Sequence, residues 1–464
     1  MIKYKNKLSA LAALVYLISY SHSSIAAVAA EEAEKLGSEL TYFGAIASAN
    51  ADGSIPAYDG GLKNPPAVGE NNYPDPFAGE QLLFEITKEN VSKYESMLSM
   101  GIKTLMQEYP DYKINVFPTH RTMSYPDWFL ENTKKNALTA ELVGETGDTI
   151  TGGASDGLPF QGVPFPIPNN GYEVMWNNYL RYSAPVSKMV NRNRIVDSSG
   201  RFSDLAGTDS AYLHPWSEET GGMRARSYNA VFGFHSLLTT PPTSAGTQFL
   251  TYYLPNLTDT SAVWFYTPGQ RRVRRAPEFT YDTPVGAYSG VFVWDEMFGF
   301  AGAMDRFDMN IVGLKEMIVP YNVFGATNQS TSTEILGERT IKSEYIRWEK
   351  RRVWEVEATR KDGARHAYAK RTFLFEEDSW ALIGSESYDD AGNLWRVAQI
   401  LTFPTWDVGG VNGDTWLYHD LRKGNYLVMN VGRTEPGSYV RSYTSDEDVH
   451  YPANARAVQG QSVR

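Results

Sequence analysis

The sequence predicts an α+β protein that is mainly β: one large antiparallel sheet with helices packed on it. Three observations carry that expectation. Up to about residue 191, apolar residues recur at helical spacing between irregular, Pro-rich stretches. After Arg192, short segments alternate aromatic or β-branched side chains with polar ones, the period of half-buried strands. Finally, 11 Trp, 29 Tyr and 21 Phe make 13% of the chain aromatic, a surplus suited to strands with one apolar and one wet side.

The elements follow in order. Lys3, Lys5 and Lys7 form a basic start, residues 8–20 are apolar apart from Ser9, Ser19 and two tyrosines, and Ala27-Val28-Ala29 is an A-x-A cleavage pattern, with Ser24-Ile25-Ala26 as a second. That order reads as a cleavable signal peptide over residues 1–29, its apolar run shorter than the roughly 20 residues of a spanning helix. No twin arginine precedes it, which points to the general secretory route. Residues 31–73 are rich in Gly, Pro, Asn and Asp and read as an irregular arm closed by Pro74-Asp75-Pro76. Thr87, with Asn90 reaching back, caps a helix that carries Val91, Tyr94, Met97 and Leu98; Gly101 ends it, and a second helix runs to about Glu108. Residues 144–157 read as a polar loop. Pro164-Phe165-Pro166-Ile167-Pro168 forces an extended entry into a helix starting near Gly171.

Strands are expected at 247–254 and 262–266, then a turn at Thr267-Pro268-Gly269-Gln270 and a strand from Arg271 to Arg275. The hairpin signals Lys361-Asp362-Gly363 and Asp389-Asp390-Ala391-Gly392 punctuate a long meander over 365–403. Residues 30–433 read as a single domain, helix-rich to 191 and strand-rich after, with a polar C-terminal tail over 434–464.

Composition excludes several classes. With 0 Cys, the chain has no cysteine to acylate as a lipoprotein and no disulfides, so packing must stabilise it. A formal net charge of −11 repels nucleic acid and anionic headgroups at long range. The expected location is the periplasm, without a lipid anchor.

Candidate chemistry is sparse. Gly153-Ala154-Ser155-Asp156-Gly157 matches a nucleophile elbow, but no helix-forming run follows Ser155, so it reads as a loop. Ser48-Ala49-Asn50-Ala51-Asp52-Gly53 mimics a calcium loop without its leading Asp and closing Glu, and reads as a turn held by Asn50 and Asp52. Asp446-Glu447-Asp448 with His450 reads as a solvated tail, and the 7 histidines lack metal-ligand spacing. No catalytic residue, metal site or cofactor is nominated. The sharpest signal is Arg271-Arg272-Val273-Arg274-Arg275, where alternation splits the arginines between two faces. Two accounts compete: pairing with acids such as Glu344, Glu349 or Glu355, or bidentate capture of a carboxylate or phosphate headgroup. The candidate ligand-binding residues are Trp264, Tyr266, Arg271, Arg272, Arg274 and Arg275, with Trp264 and Tyr266 on one strand face.

Several stretches together resemble the bacterial domain of unknown function 1329 family. They are Asn50-Ala51-Asp52-Gly53-Ser54-Ile55-Pro56-Ala57, the 164–168 proline run, and Val263-Trp264-Phe265-Tyr266-Thr267-Pro268-Gly269-Gln270 running into the arginine strand and Ala276-Pro277. Asp305-Arg306-Phe307-Asp308, Val319-Pro320-Tyr321-Asn322, Arg352-Val353-Trp354 and Asn393-Leu394-Trp395-Arg396-Val397 complete the set. The resemblance implies a fold similar to the periplasmic lipoprotein carrier LolA and its receptor LolB: a curved antiparallel sheet, an open barrel closed by helices around an apolar cavity. It also implies traffic of hydrophobic compounds beside an outer-membrane protein and an RND-type exporter. No family site residues are carried over.

The expected function is a periplasmic carrier or adaptor for a hydrophobic or amphipathic molecule or lipid, without cofactor or covalent chemistry. A structural subunit of an outer-membrane or exporter complex and an envelope hydrolase are the rivals. Export has a direct test: protein released by osmotic shock should begin between about Ala27 and Glu31 when its N-terminus is sequenced. Recovery of intact Met1 material in the membrane pellet would contradict it.

Overall fold

The structure, a computed structural model, describes residues 28–259, 262–275, 281–447, 449–452, 454 and 456–458. The signal-peptide expectation therefore lies outside the described residues except for Val28 and Ala29, as does Asp448. Among the described residues, no helix is long and apolar enough to cross a membrane.

A 17-stranded sheet organises the chain, and one strand joins its two halves. Residues 186–191 of Val186–Val196 pair with Thr208–Leu213 on one side, and 186–190 pair with Tyr439–Tyr443 on the other. The end of the same strand pairs with Phe202–Asp204 and Asn425–Val431. From there one half runs antiparallel through Phe232–Leu238, Gln248–Tyr253 and Ala262–Thr267 to Arg272–Arg275. The other runs back through Val411–Asp420, Leu394–Pro404, Leu382–Tyr388, Lys370–Glu376 and Trp348–Arg360 to Phe307–Pro320.

The expected meander is thus present, and its order is nearly that of the sequence. The expected closure is not. Arg272–Arg275 and Phe307–Pro320 end the sheet, and among the described residues neither pairs onward, so the sheet stays open and is no closed barrel. Both edges are protected as open edges must be. The first is short and carries exposed arginines. The second bulges between Ile311 and Gly313, leaving Val312 47% exposed.

The second half is buried on both faces. Ala398 and Ile400 join a core with Phe129, Trp176 and Tyr179, from the helices Asp127–Thr139 and Gly171–Tyr179. Val397 and Leu401, of opposite parity, meet Ile102, Leu105 and Met106 of the helix Met100–Glu108. The helix from Gly171 starts where expected, with Asn170 accepting from the Glu173 N–H. Only glycine fits at 171, because a Cβ there would lie 2.7 Å from the Met309 carbonyl oxygen.

The reading of 87–108 needs correction. Val91–Lys93 and Glu95–Met97 are single 3₁₀ turns. The α-helix begins at Met100, with Ser99 as its cap. Gly101 opens that helix rather than ending the one before, since Val397 and Glu386 leave no room for a side chain and its N–H donates to Glu386 at 2.5 Å. The helix Asp127–Thr139 was not expected, and the strand Thr149–Thr151 forms inside the expected loop over 144–157, pairing with Glu141–Val143 in a small hairpin. Lys361-Asp362-Gly363 starts a connection that runs to Lys370, longer than a tight hairpin, whereas Asp389–Gly392 lies in a short one.

A buried ion network fastens the N-terminal arm to the sheet. Arg351 is 1% exposed and meets Glu376 at 2.6 Å and Asp378 at 2.9 Å. Arg121 grips Asp378 with two nitrogens and donates to the Ile46 carbonyl at 2.8 Å. Arg352 pairs with Glu377 at 3.1 Å and donates to the Ser48 carbonyl, while Glu377 accepts the Ile46 N–H. Removing one partner of such a network costs roughly 3–5 kcal/mol, because the other charge is left buried. Beside it, the Asn50–Ile55 turn forms as expected: Asn50 accepts the Ile55 N–H and Asp52 the Ser54 N–H.

Burial, with the negative charge of Asp378, pushes the Glu377 carboxyl up to about 7 from an ordinary 4.5. A carboxyl raised on folding favours the fold fully below 4.5, and that contribution is lost as the pH rises through about 7. The wild-type melting temperature should therefore fall across this window by more than that of Glu377→Gln, which stays neutral. Thermal unfolding at about pH 5 and about pH 8 measures both slopes, and equal slopes would contradict the assignment.

Candidate functional site

The hairpin that carries the predicted site residues is formed. Thr267 leads into the turn, and Arg271 sits in it at φ 49°, outside the strand where the sequence reading placed it. The strand is Arg272–Arg275, and Arg272, Arg274 and Arg275 are exposed. Register decides the faces. Trp264 lies opposite Arg275 and Tyr266 opposite Val273, while Phe265 lies opposite Arg274 and Thr267 opposite Arg272. Trp264 and Tyr266 do share a face, but Arg272 and Arg274 project from the other one.

Two of the three acids proposed as structural partners, Glu349 and Glu355, are engaged elsewhere. Glu349 meets Arg347 and Arg351, and Glu355 meets Lys315. Among the described residues no ion pair involves Arg271, Arg272, Arg274 or Arg275. Trp264 stands beside the rings of Tyr228 and Tyr252, at 6.0 and 6.4 Å. Tyr266 is buried in a cluster with Leu250, Tyr252 and Val458.

The face that carries Arg272 and Arg274 leads to an aromatic cage that the sequence reading missed. Phe298 inserts its ring among Tyr212, Phe232, Phe234, Tyr253 and Trp416, with centroids 5.6, 4.5, 5.3, 6.5 and 5.0 Å away. These five come from four strands on both sides of the joining strand. Phe298 belongs to irregular chain over 281–304 and holds a left-handed backbone, φ 59°, that a bulky residue rarely adopts. It is only half-buried, so the cage lies near the surface. Between the cage and the edge, Phe249 and Phe265 lie 4.9 Å apart and continue the apolar surface toward Arg274.

Beside Phe298 is a void of about 30 Å³, lined by Arg181, His214, Tyr253, Phe300, Leu382 and Asp414 among others. Burial pushes Arg181 down to about 10, holds His214 well below the ordinary imidazole value and raises Asp414. Among the described residues, Arg181 Nε and the Tyr253 hydroxyl are buried there without a hydrogen-bond partner. The arrangement suits an apolar or aromatic body with one polar group at its inner end. The sequence signal for it was Met297-Phe298-Gly299-Phe300, an apolar run with neither helical nor strand period.

The sequence model of the family described as protein of unknown function (DUF1329) matches residues 85–457. The chain belongs to that family. It is 36% identical over 437 residues to an uncharacterized protein of Pseudomonas aeruginosa, covering 93% of this chain and 94% of the relative. Among solved structures, it is similar to a DUF1329 family protein of Desulfovibrio piger, with 14% identity, a TM-score of 0.38, and 56% of this chain and 88% of that one covered. It is also similar to a LolA superfamily protein of Nitrosomonas europaea, with 12% identity, a TM-score of 0.32, and 56% and 90% covered.

The other motifs of this DUF1329 member stay structural. Ser155 is exposed in a turn where the Gly152 N–H donates to the Gly157 carbonyl, and neighbouring Asp156 pairs with Arg224. Asp446 pairs with Arg226 and accepts from the Tyr451 hydroxyl.

The register makes a prediction about stability. Arg272→Ala and Arg274→Ala should change unfolding free energy by no more than about 0.5 kcal/mol, as exposed substitutions do. Tyr266→Ala should cost roughly 3 kcal/mol or more. Denaturant unfolding of the three variants checks this, and a large loss in either arginine variant would contradict the exposed placement.

Proposed function

We propose that this protein is a periplasmic carrier or adaptor that holds a hydrophobic or amphipathic molecule against the aromatic cage. The supporting observation is Phe298: a half-buried residue, presented by irregular chain in a left-handed conformation, whose ring fills an aromatic site assembled from four strands. In this reading Phe298 occupies the place of the cargo and swings out when cargo enters. An acyl or polycyclic body then stacks on Phe232, Tyr212 and Trp416 and runs along Phe249 and Phe265. Strands lie about 4.8 Å apart and Phe249 is opposite Ser236, four residues along from Phe232, so the path from Phe232 to Arg274 spans roughly 20 Å, the reach of a long acyl chain. At its end Arg272 and Arg274, on the same face, meet an acidic headgroup by charge-assisted hydrogen bonds. Burial of each CH₂ contributes about 0.8 kcal/mol, enough to hold a chain without cofactor or covalent bond. An outer-membrane protein and an RND-type exporter are the partners this role implies.

One observation favours a second reading. The void beside Phe298 is only about 30 Å³, as expected of a structural adaptor whose interior is permanently filled by its own chain.

Phe298→Ala separates the two. If the ring stands in for cargo, its loss should tighten binding of a fluorescent fatty acid by about tenfold, equal to 1.4 kcal/mol. Arg272→Ala with Arg274→Ala should weaken the acid but not the matching alcohol, and the loss should shrink in high salt. Unchanged affinity in Phe298→Ala, measured by fluorescence titration, would leave the filled-adaptor reading standing.

A further inference from the structure

The face opposite the cage carries a second, larger cavity. Register sets Lys188, Asp209, His235, Leu237, Gln248 and Tyr266 on that face, on five neighbouring strands. The C-terminal segment crosses above them with Tyr451 and Pro452, leaving a cleft of about 840 Å³. Small-molecule sites span roughly 300–1,000 Å³.

The chemistry inside the cleft is specific. Lys188 and Asp209 pair with each other, so the site presents no net charge from them. His235 is 3% exposed, and its Nε2 lies 3.0 Å from Gln248 Oε1. With the amide oxygen facing it, Nε2 carries the hydrogen and donates, which leaves Nδ1 as an acceptor. That Nδ1 is buried and has no hydrogen-bond partner among the described residues. Burial pushes the imidazole down to about 4, so Nδ1 keeps its lone pair at neutral pH. A buried acceptor left unmet is costly, and the group that completes it must bring an O–H or N–H. Around this polar floor, Leu237, Tyr266, Pro268 and Pro452 supply apolar and aromatic walls.

We propose that this cleft is a second ligand site, for a neutral glycoside: a hydroxylated head that donates to His235 Nδ1 and an apolar stem laid along Leu237 and Pro268. Tyr451, half-buried at the rim of the cleft, is the ring against which the sugar face stacks. The site is independent of the cage, since the two lie on opposite faces of the same strands.

The test is calorimetric titration of the full mature chain with octyl glucoside, kept below its micelle-forming concentration. Wild type should bind it, and in the component of binding that Ala245→Trp removes, sodium octanoate, which lacks a hydroxyl to donate, should bind at least tenfold more weakly. His235→Leu should lose at least tenfold in affinity for octyl glucoside. Ala245→Trp fills the cleft from its half-buried rim without touching the sheet's ladder, and should abolish the binding. Phe298→Ala should leave the component of binding that Ala245→Trp removes unchanged, which keeps this site distinguishable from the cage. Full affinity in Ala245→Trp overturns the proposal whether or not His235→Leu folds. Absence of binding to wild type, or octanoate bound as tightly as the glucoside in the component that Ala245→Trp removes, overturns it as well.

Discussion

The molecule depends on one strand being paired along both edges. Val186–Val196 is the only route by which the sheet ending at Arg272–Arg275 and the sheet ending at Phe307–Pro320 become continuous among the described residues. Its alternation therefore sets parity for everything beyond it. Met189 joins the core that contains Tyr212, Phe234 and Trp416, and Lys188 joins the opposite row with His235 and Tyr266. A slip of one residue would exchange the aromatic cage for the polar cleft on every strand of the hairpin side. Buried side chains along both faces of this strand make such a slip expensive.

The second constraint is electrostatic. The turn after Lys370–Glu376 concentrates Glu376, Glu377 and Asp378 away from water, where unpaired carboxylates would not be tolerated. Arg121, Arg351 and Arg352 compensate them, and two of these also bond backbone carbonyls of the N-terminal arm. The Trp380 indole N–H adds a bond to the Phe43 carbonyl at 2.8 Å. An arm with almost no regular structure is held by charge-assisted hydrogen bonds rather than by a strand ladder. The largest core, containing Phe43 and Tyr73, can then extend under it.

Much of the architecture was legible because periodicity is local. The Thr267–Gln270 turn and the Asp389–Gly392 hairpin each follow from residues within a few positions of one another, whereas Arg192, where the change to strand period was expected, lies inside the strand Val186–Val196. What was not legible depends on distant partners. Gly101 reads as a helix breaker until Val397 and Glu386 are brought against it. The alternation of Arg272 and Arg274 with Val273 was visible, but which arginines share a face with Trp264 depends on hairpin register. Sheet closure could not be read either, since it rests on whether strands at the two ends of the order meet. The cage was hidden for the same reason: Phe298 lies in chain without period, and its five neighbours are scattered between Tyr212 and Trp416.

The central claim is that cargo replaces Phe298 in the cage. Photocrosslinking with a diazirine-bearing fatty acid, followed by peptide mass spectrometry, tests it most directly. The account predicts adducts on Tyr212, Phe232, Phe298 and Trp416, competed away by unlabelled fatty acid. Saturable adducts confined to other surfaces, with the cage residues unlabelled, would contradict it.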